Sequence, residues 1–500
     1  MNLMMLLEMA AAAHGERVAV VCGGETLRVE ELFAASGAVA RELQASGAAH
    51  LALLDVASLA APVALFAAAR AGVPYVPLNY RLTGDELDAL LERVTPANLV
   101  TDPDRAARFS ARAGMFVLAR DAFLAAARAE GEGPAWPDDP EGIAVLLFTS
   151  GTTGAPKAAV LRHRHLVSYV LGSVEFASAG EEEAALVSVP PYHVAGVAAI
   201  LSSIYAGRRI VQLPSFSAEA WLAAARAERV THAFVVPTML ARIVDALAGR
   251  AGADLPHLRA LSYGGGKMPL PVIERALELF PDVAFANAYG LTETSSTIVL
   301  LGPEEHRKAA ASSDASVRRR LASVGRALPG VEIDVRDEEG KPLAPGAPGE
   351  VYARGPQVSG EYLARASQLD PQGWLATRDG GFLDEKGYLF LQGRIDDLIV
   401  RGGENLSPGE IEDVLLEHPS VAECAVVGIA DVEWGEAVAA VVVLAEGASA
   451  SEDELRAWVR ERLRSSRVPS RIVFRRELPY NETGKLLRRV LRAELAVPTR

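Results

Sequence analysis

The chain has 500 residues, half of them hydrophobic, and carries a formal charge of −14. That length exceeds what one hydrophobic core sustains, so at least two domains are expected. The acidic balance argues against a general binder of nucleic acid or anionic membranes, although residues 456–500 hold thirteen Lys and Arg against four Asp and Glu. Such a basic end suits anionic ligands or a solvated helix face. Cys22 and Cys424 are the two cysteines, which gives no disulfide framework and no Cys/His metal spacing. A reducing cytoplasm is the expected compartment.

Residues 1–13 are apolar, carry Glu8 and lack basic residues, which predicts an amphipathic first helix rather than a secretory signal. Strand-like runs at 17–22 and 51–54 alternate with helical ones at 29–43 and 59–71. The longest strictly apolar run, 59–69, is too short to span a bilayer and closes on Arg70. A turn at 77–83 leads into a helix near Asp85. Strands at 186–189, 232–237, 260–263 and 283–286 follow, each succeeded by helical periodicity. Alternation of this kind predicts largely parallel, doubly wound sheets, an α/β fold. From Gly330 the character changes. Short β-rich runs at 331–335, 349–354 and 388–391 predict a small barrel-like subdomain or antiparallel sheet. Beyond Asp396, a helix at 408–417, strands at 421–429 and 437–444 and a helix at 452–463 form a compact α+β unit. The expected division is a large N-terminal domain, 1–395, and a small C-terminal domain, 396–500.

The most informative stretch is Leu147-Phe148-Thr149-Ser150-Gly151-Thr152-Thr153-Gly154-Ala155-Pro156-Lys157, a turn entered from an apolar strand. Its glycines let backbone N–H groups converge, its hydroxyls add donors and its lysine adds charge, a set suited to polyphosphate. The spacing is not that of a P-loop: two residues separate Gly151 from Gly154, and Ala158 follows the lysine. Alone, the stretch reads more readily as an ordinary Ser/Thr/Gly surface loop.

Four further segments join it in order: Pro190-Pro191-Tyr192-His193-Val194-Ala195-Gly196; Tyr263-Gly264-Gly265-Gly266-Lys267; Asn287-Ala288-Tyr289-Gly290-Leu291-Thr292-Glu293-Thr294; and Gly393-Arg394-Ile395-Asp396-Asp397 with Gly402-Gly403-Glu404-Asn405, followed by Asn481-Glu482-Thr483-Gly484-Lys485. Taken singly, Tyr289 reads as a half-buried core residue, Thr292 and Glu293 as a capping pair, Asp379 as an Asx-turn residue and Lys485 as a solvated lysine. Together, the set resembles the adenylate-forming superfamily of acyl- and aryl-CoA synthetases, luciferases and peptide-synthetase adenylation domains. The Gly-Gly-Glu-Asn segment looks most like the bacterial medium-chain and aryl-acid CoA ligase branch.

The resemblance implies ATP, Mg²⁺ and coenzyme A as cofactors and a small carboxylic acid as substrate. It gives Thr149, Ser150, Gly151, Thr152, Thr153, Gly154 and Lys157 the departing pyrophosphate, and Thr292 an α-phosphate oxygen. Glu293 becomes the Mg²⁺ ligand, since that ion takes few carboxylates with phosphate oxygens and water. Gly264, Gly265, Gly266, Asn287, Ala288, Tyr289 and Gly290 would surround the base. Asp379 and Arg394 would meet the ribose, and Lys485 would approach the α-phosphate during adenylation. His193 would close the acyl pocket. Gly402, Gly403 and Trp434 would flank the thiol channel. The small C-terminal domain would pivot at Asp396.

The segment around His193 holds no Asp, so an α-amino acid substrate is not expected, and small residues at Gly264, Ala195, Ala288 and Gly290 are expected to leave room for an apolar acid. Two departures concern the nucleotide: Ala158 replaces a usual glycine, and Arg378 beside Asp379 replaces another and is expected to point outward. A third concerns the thiol. Ser465, Ser466 and Ser470 stand where an aromatic and basic residues are usual, leaving Arg467 as the nearby cation. Coenzyme A is the expected acceptor, with a carrier protein the alternative; no nucleic acid and no membrane span are expected, and a homodimer is allowed.

Overall fold

The computed structural model describes residues 1–82, 84–149, 156–402, 404–480 and 486–496. Two large sheets dominate. The first has nine strands in the order Arg326–Ala327, Ser296–Leu301, Ala284–Leu291, Ala260–Gly264, His232–Val235, Ala184–Val187, Arg209–Gln212, Val18–Cys22 and Glu25–Arg28. Its interior pairs are parallel, and both edges are antiparallel. The second runs Met115–Ala119, Ala97–Thr101, His50–Leu54, Tyr75–Pro77, Ile143–Thr149 and Lys157–Arg162, parallel until its last, antiparallel pair. This is the doubly wound arrangement the sequence predicts.

The core between the sheets is built on the alanine-rich helix Ala60–Ala71, buried from Ala60 through Arg70. Alanine favours the helix and takes little volume, so neighbours approach closely. Helix Val29–Ser46 packs on it; a Cβ at Gly37 would lie 2.9 Å from the Cα of Gly133. Arg70 ends the buried run. Its guanidinium donates to the Pro134 and Phe33 carbonyls and stacks near the Phe33 and Trp136 rings. The first helix, Met4–His14, buries Met4, Leu6, Leu7 and Ala10 in the same core.

The region after Gly330 forms an antiparallel sheet of four strands, Glu332–Arg336, Gly349–Arg354, Leu375–Leu383 and Leu389–Arg394. A bridge between Gly325 and Leu389 ties it toward the nine-stranded sheet. A last sheet joins the hairpin Ile399–Arg401 and Glu404–Leu406 to Gly435–Leu444 and Val421–Asp431, with Arg471–Arg475 parallel on Gly435–Leu444. Helices Pro408–Leu416 and Glu452–Arg462 pack on it.

Several elements depart from expectation, among them strands Tyr75–Pro77, Ala97–Thr101, Met115–Ala119 and Arg209–Gln212, which sequence reasoning did not place. Glu25–Arg28 is an extra strand, turned back by Gly23 and Gly24 at φ 58° and 87°. The strand expected at 186–189 is Ala184–Val187, because its ladder starts where Ala184 meets Arg209 and ends ahead of the Pro190-Pro191 pair.

Candidate active site

Strand Ala284–Leu291 ends in a single 3₁₀ turn, Thr292–Thr294. The turn is tightly held. The Leu291 N–H donates to Thr294 Oγ1 at 2.8 Å, and that hydroxyl lies 2.8 Å from the Ser296 carbonyl. Ser295 and Ser296 then take φ of 55° and 111°, a reversal that non-glycine residues adopt only when their surroundings enforce it. The enforcing groups come from one later segment. Gln357 Nε2 donates to the Thr294 and Thr297 carbonyls at 3.0 and 2.8 Å. The Ser359 and Gly360 N–H groups and the Ser359 hydroxyl all point to the Glu293 carbonyl.

The same segment reaches the lysine that closes the Gly-rich stretch. Tyr362 donates its hydroxyl to the Glu293 carboxylate, and Lys157 Nζ stands 5.7 Å from the centre of the Tyr362 ring. The Leu363 N–H donates to the Ala158 carbonyl, and Val160 N–H to Glu361 O, both at 2.9 Å. Arg162 grips both carboxylate oxygens of Glu361 at 2.8 and 2.6 Å. Lys157 and Glu293, on different sheets, therefore meet at one tyrosine. Burial and the Glu293 charge push the Tyr362 hydroxyl up, while the nearby Arg394 pulls the other way. Residues 150–155, Gly403 and 481–485 lie outside the described residues, so Ser150, Gly151, Thr152, Thr153, Gly154, Gly403 and Lys485 receive no placement. Thr149 ends its strand with Oγ1 3.4 Å from the Lys157 carbonyl.

A second cluster adjoins the first. Asp379 and Arg394 are cross-strand partners, with Arg394 Nη1 3.1 Å from Asp379 Oδ1, while the buried Tyr289 donates its hydroxyl to Asp379 Oδ2 at 2.6 Å. Asp379 is thus pre-set as an acceptor with a cation beside it. Burial, then the Asp379 charge, hold the Tyr289 hydroxyl protonated. Arg378 does turn outward, pairing with Asp396 at 2.6 Å. Its φ of +63° explains why glycine would suit the position.

The glycines have structural causes of their own. A Cβ at Gly264 would fall 2.2 Å from the Ala288 carbonyl, and one at Gly290 1.9 Å from that of Ser296. Strand pairing by itself requires small residues at these two positions. Gly265 takes φ +82°, and a Cβ at Gly266 would meet the Pro237 ring at an ordinary contact distance of 3.7 Å. Asn287 spends its amide N–H₂ on the Ser323 carbonyl at 3.1 Å.

His193 precedes helix Val194–Ala206 and lies with its ring centre 4.5 Å from that of Tyr192, tilted by 54°, while Tyr192 meets Tyr80 edge-on. The residue keeps some exposure, but its Nε2 is sealed and finds no partner among the described residues. Burial, aided by Arg81, lowers its pKa to about 4, so the ring is neutral.

At the segment expected to flank the thiol channel, Trp434 is half-exposed and lies over Gly402, where a Cβ would come within 2.8 Å of the ring. Arg467 is not a free cation. It pairs with Glu404 at 2.7 Å and Glu410 at 2.6 Å.

These residues fit a nucleotide and its metal. Asp379 offers two acceptor oxygens beside Arg394, and Glu293 shares Tyr362 with Lys157. No group of three or more His, Cys, Asp or Glu able to cage an ion occurs among the described residues. That suits an ion arriving with phosphate oxygens and water. Sequence reasoning missed Gln357, Ser359 and Tyr362, which lie in an ordinary-looking Gln-Val-Ser-Gly-Glu-Tyr run without a motif signal.

Residues 7–363 match the AMP-binding enzyme family, and 410–485 match its C-terminal domain. The chain belongs to the AMP-binding enzyme family. Among its relatives is the fatty acid–[acyl-carrier-protein] ligase ScoC of Streptomyces coeruleorubidus, 35% identical over 95% of this chain and 92% of that one. A feruloyl-CoA synthase of an Amycolatopsis species is 34% identical over 94% of both. The o-succinylbenzoate CoA synthetase of Bacillus subtilis, solved with its acyl-adenylate intermediate, superposes with a TM-score of 0.84 at 30% identity, covering 99% and 98%. As a member of this AMP-binding family, the protein is an AMP-forming acid–thiol ligase that uses ATP and Mg²⁺. Among the described residues no helix is long and apolar enough to cross a membrane.

Proposed function

We propose that the protein converts an apolar aryl or aliphatic acid to its CoA thioester in the cytoplasm. The observation that carries this reading is the convergence of Lys157 and Glu293 on Tyr362, beside the Asp379–Arg394 pair. Attack of a carboxylate on the α-phosphorus brings two anions together, so charge must be neutralised and the partners held in line. Lys157 meets the departing pyrophosphate, Thr292 the α-phosphate, and Asp379 with Arg394 the ribose hydroxyls. Glu293 would hold Mg²⁺, which would supply charge neutralisation on the phosphoryl oxygens. The acid's carboxylate oxygen bonds to the α-phosphorus as the bond to pyrophosphate breaks. A thiolate then attacks the acyl carbonyl and AMP leaves with the bonding pair.

A neutral, sealed His193 beside Tyr192 and Tyr80 favours an apolar acid over a charged or amino-bearing one. The domains divide at Asp396, which serves as the pivot between the two steps, and Lys485 serves the first. A carrier protein is the second reading for the acceptor, favoured by the pairing of Arg467 with two glutamates, which occupies a cation a CoA phosphate would want.

Acid-dependent exchange of labelled pyrophosphate into ATP, screened over aliphatic, aryl and polycyclic acids with CoA consumption followed for the hits, tests the reading. Exchange without CoA consumption moves the acceptor to a carrier protein. Lys485→Ala is expected to abolish exchange while thioester formation from preformed acyl-AMP persists; equal loss of both in a folded variant refutes the two-pose scheme.

A further inference from the structure

The Gly264–Gly266 loop continues into Lys267, which reaches across to the small C-terminal unit. Its Nζ donates to the Gly409 carbonyl at 3.0 Å and pairs with Asp413 Oδ1 at 2.6 Å. Both acceptors belong to helix Pro408–Leu416, and its N-cap Ser407 donates to the Gln392 carbonyl at 2.6 Å. A Cβ at Gly409 would lie 3.1 Å from that same carbonyl and 3.2 Å from Lys267 Nζ. Glycine there lets the helix descend onto strand Leu389–Arg394 and the lysine together. A cation near the first turn of a helix is disfavoured by the helix dipole, and Asp413 offsets that cost.

The Gly402 face of the unit makes its bonds elsewhere. The Gly402 N–H donates to Trp434 O at 2.8 Å, and Glu404 pairs with Arg467, both within the C-terminal unit. In this orientation the helix Pro408–Leu416, rather than the Gly402 hairpin, faces the Gly264–Gly266 loop.

We infer that Lys267 is a positioning residue for the first half-reaction. Its bonds register the C-terminal unit against the nucleotide loop, and they must break before the Gly402 face swings toward the acyl group. The inference rests on the two-step reading above. Lys267 and Asp413 are each about half exposed, at 45% and 56%, and such a pair shifts an equilibrium by at most about fivefold. That biases the orientation without locking it.

The test compares Lys267→Met, Asp413→Asn and the exchanged pair Lys267→Asp with Asp413→Lys. Two readouts are needed: acid-dependent pyrophosphate exchange, and thioester formation from synthetic acyl-adenylate and CoA. Each single variant should lower exchange about threefold to fivefold while thioester formation holds or rises, and the exchanged pair should recover exchange. Equal loss in both readouts, or no recovery in an exchanged pair that melts like the wild type, overturns the inference. Should the exchanged pair melt early, ionic strength decides. Added salt should lower the ratio of exchange to thioester formation in the wild type and leave that ratio flat in Lys267→Met, and parallel responses overturn the inference. Normal wild-type exchange with unchanged single variants sinks this inference alone; no wild-type exchange with any acid sinks the two-step reading as well.

Discussion

Tyr362→Phe removes one oxygen from the point where the two halves of the proposed nucleotide site meet. The ring stays, so Lys157 keeps its aromatic neighbour; what is lost is the hydroxyl that donates to the Glu293 carboxylate. A hydrogen bond to a charged acceptor contributes about 1.5–3 kcal/mol, and partial exposure of this pair brings the expected loss to about 1–2 kcal/mol. The Glu293 backbone remains fixed by Ser359 and Gly360, so only the carboxylate becomes free to turn. That confines the damage to metal-dependent binding and rate. Pyrophosphate exchange should fall about fivefold to thirtyfold in kcat/KM for ATP, with a raised Mg²⁺ concentration at half-maximal rate and an unchanged melting temperature. Tyr362→Leu should cost about twofold to fivefold more, because the contact with Lys157 goes too. Wild-type exchange and Mg²⁺ demand in Tyr362→Phe would refute the reasoning. So would a rate loss fully accounted for by unfolding.

The buried His163 accepts the Leu3 N–H on Nδ1 and sits beside His165, and burial lowers both to about pH 4 from an unfolded value near 6.5. The unfolded chain then binds more protons between those values, so stability should drop as pH falls from 6.5 toward 4, by up to about 1.4 kcal/mol per pH unit for each ring; urea titrations should show a shallower slope for His163→Gln. Gly264→Ala drives a methyl into the Ala288 carbonyl and should cost about 1–3 kcal/mol in denaturant unfolding and weaken ATP binding, and a neutral result would mean the strands can part freely. Arg378→Gly relieves a left-handed residue, worth about 1 kcal/mol, and gives up a half-exposed pair with Asp396 worth about 0–1 kcal/mol. Its stability should match the wild type, and a loss above about 2 kcal/mol would show a larger role for the pair.

Much of this was legible because it is local. Alternating strand and helix signals sit within short windows, and the Asp379 and Arg394 motifs each carry their own turn chemistry. The extra strand Glu25–Arg28 was legible too, since Gly23-Gly24 is a two-residue hairpin turn with both φ positive, but its four residues were too short to register as a run. Tyr362 could not be read in advance. Its importance comes from contacts at sequence separations of 69 to Glu293 and, from neighbouring Glu361, 199 to Arg162. The causes of Gly264 and Gly290 were likewise hidden, because a missing side chain looks the same whether it makes room for a ligand or for a facing carbonyl. Arg467 looked like an available cation because its partners Glu404 and Glu410 lie about sixty residues away, at separations of 63 and 57.

The stretch from Gln357 to Leu363 is stitched on one side to the Thr292–Thr294 turn and on the other to strand Lys157–Arg162. A seam fastened on both margins leaves little slack for evolution. Any change that pried the two sheets apart would also release the Glu293 carboxylate from Tyr362. If, as proposed, His193 closes the acyl pocket, new substrates are easier to admit from the flank formed by Tyr80, Tyr192 and the start of helix Val194–Ala206, where side chains can be exchanged while the ribbon stays sewn.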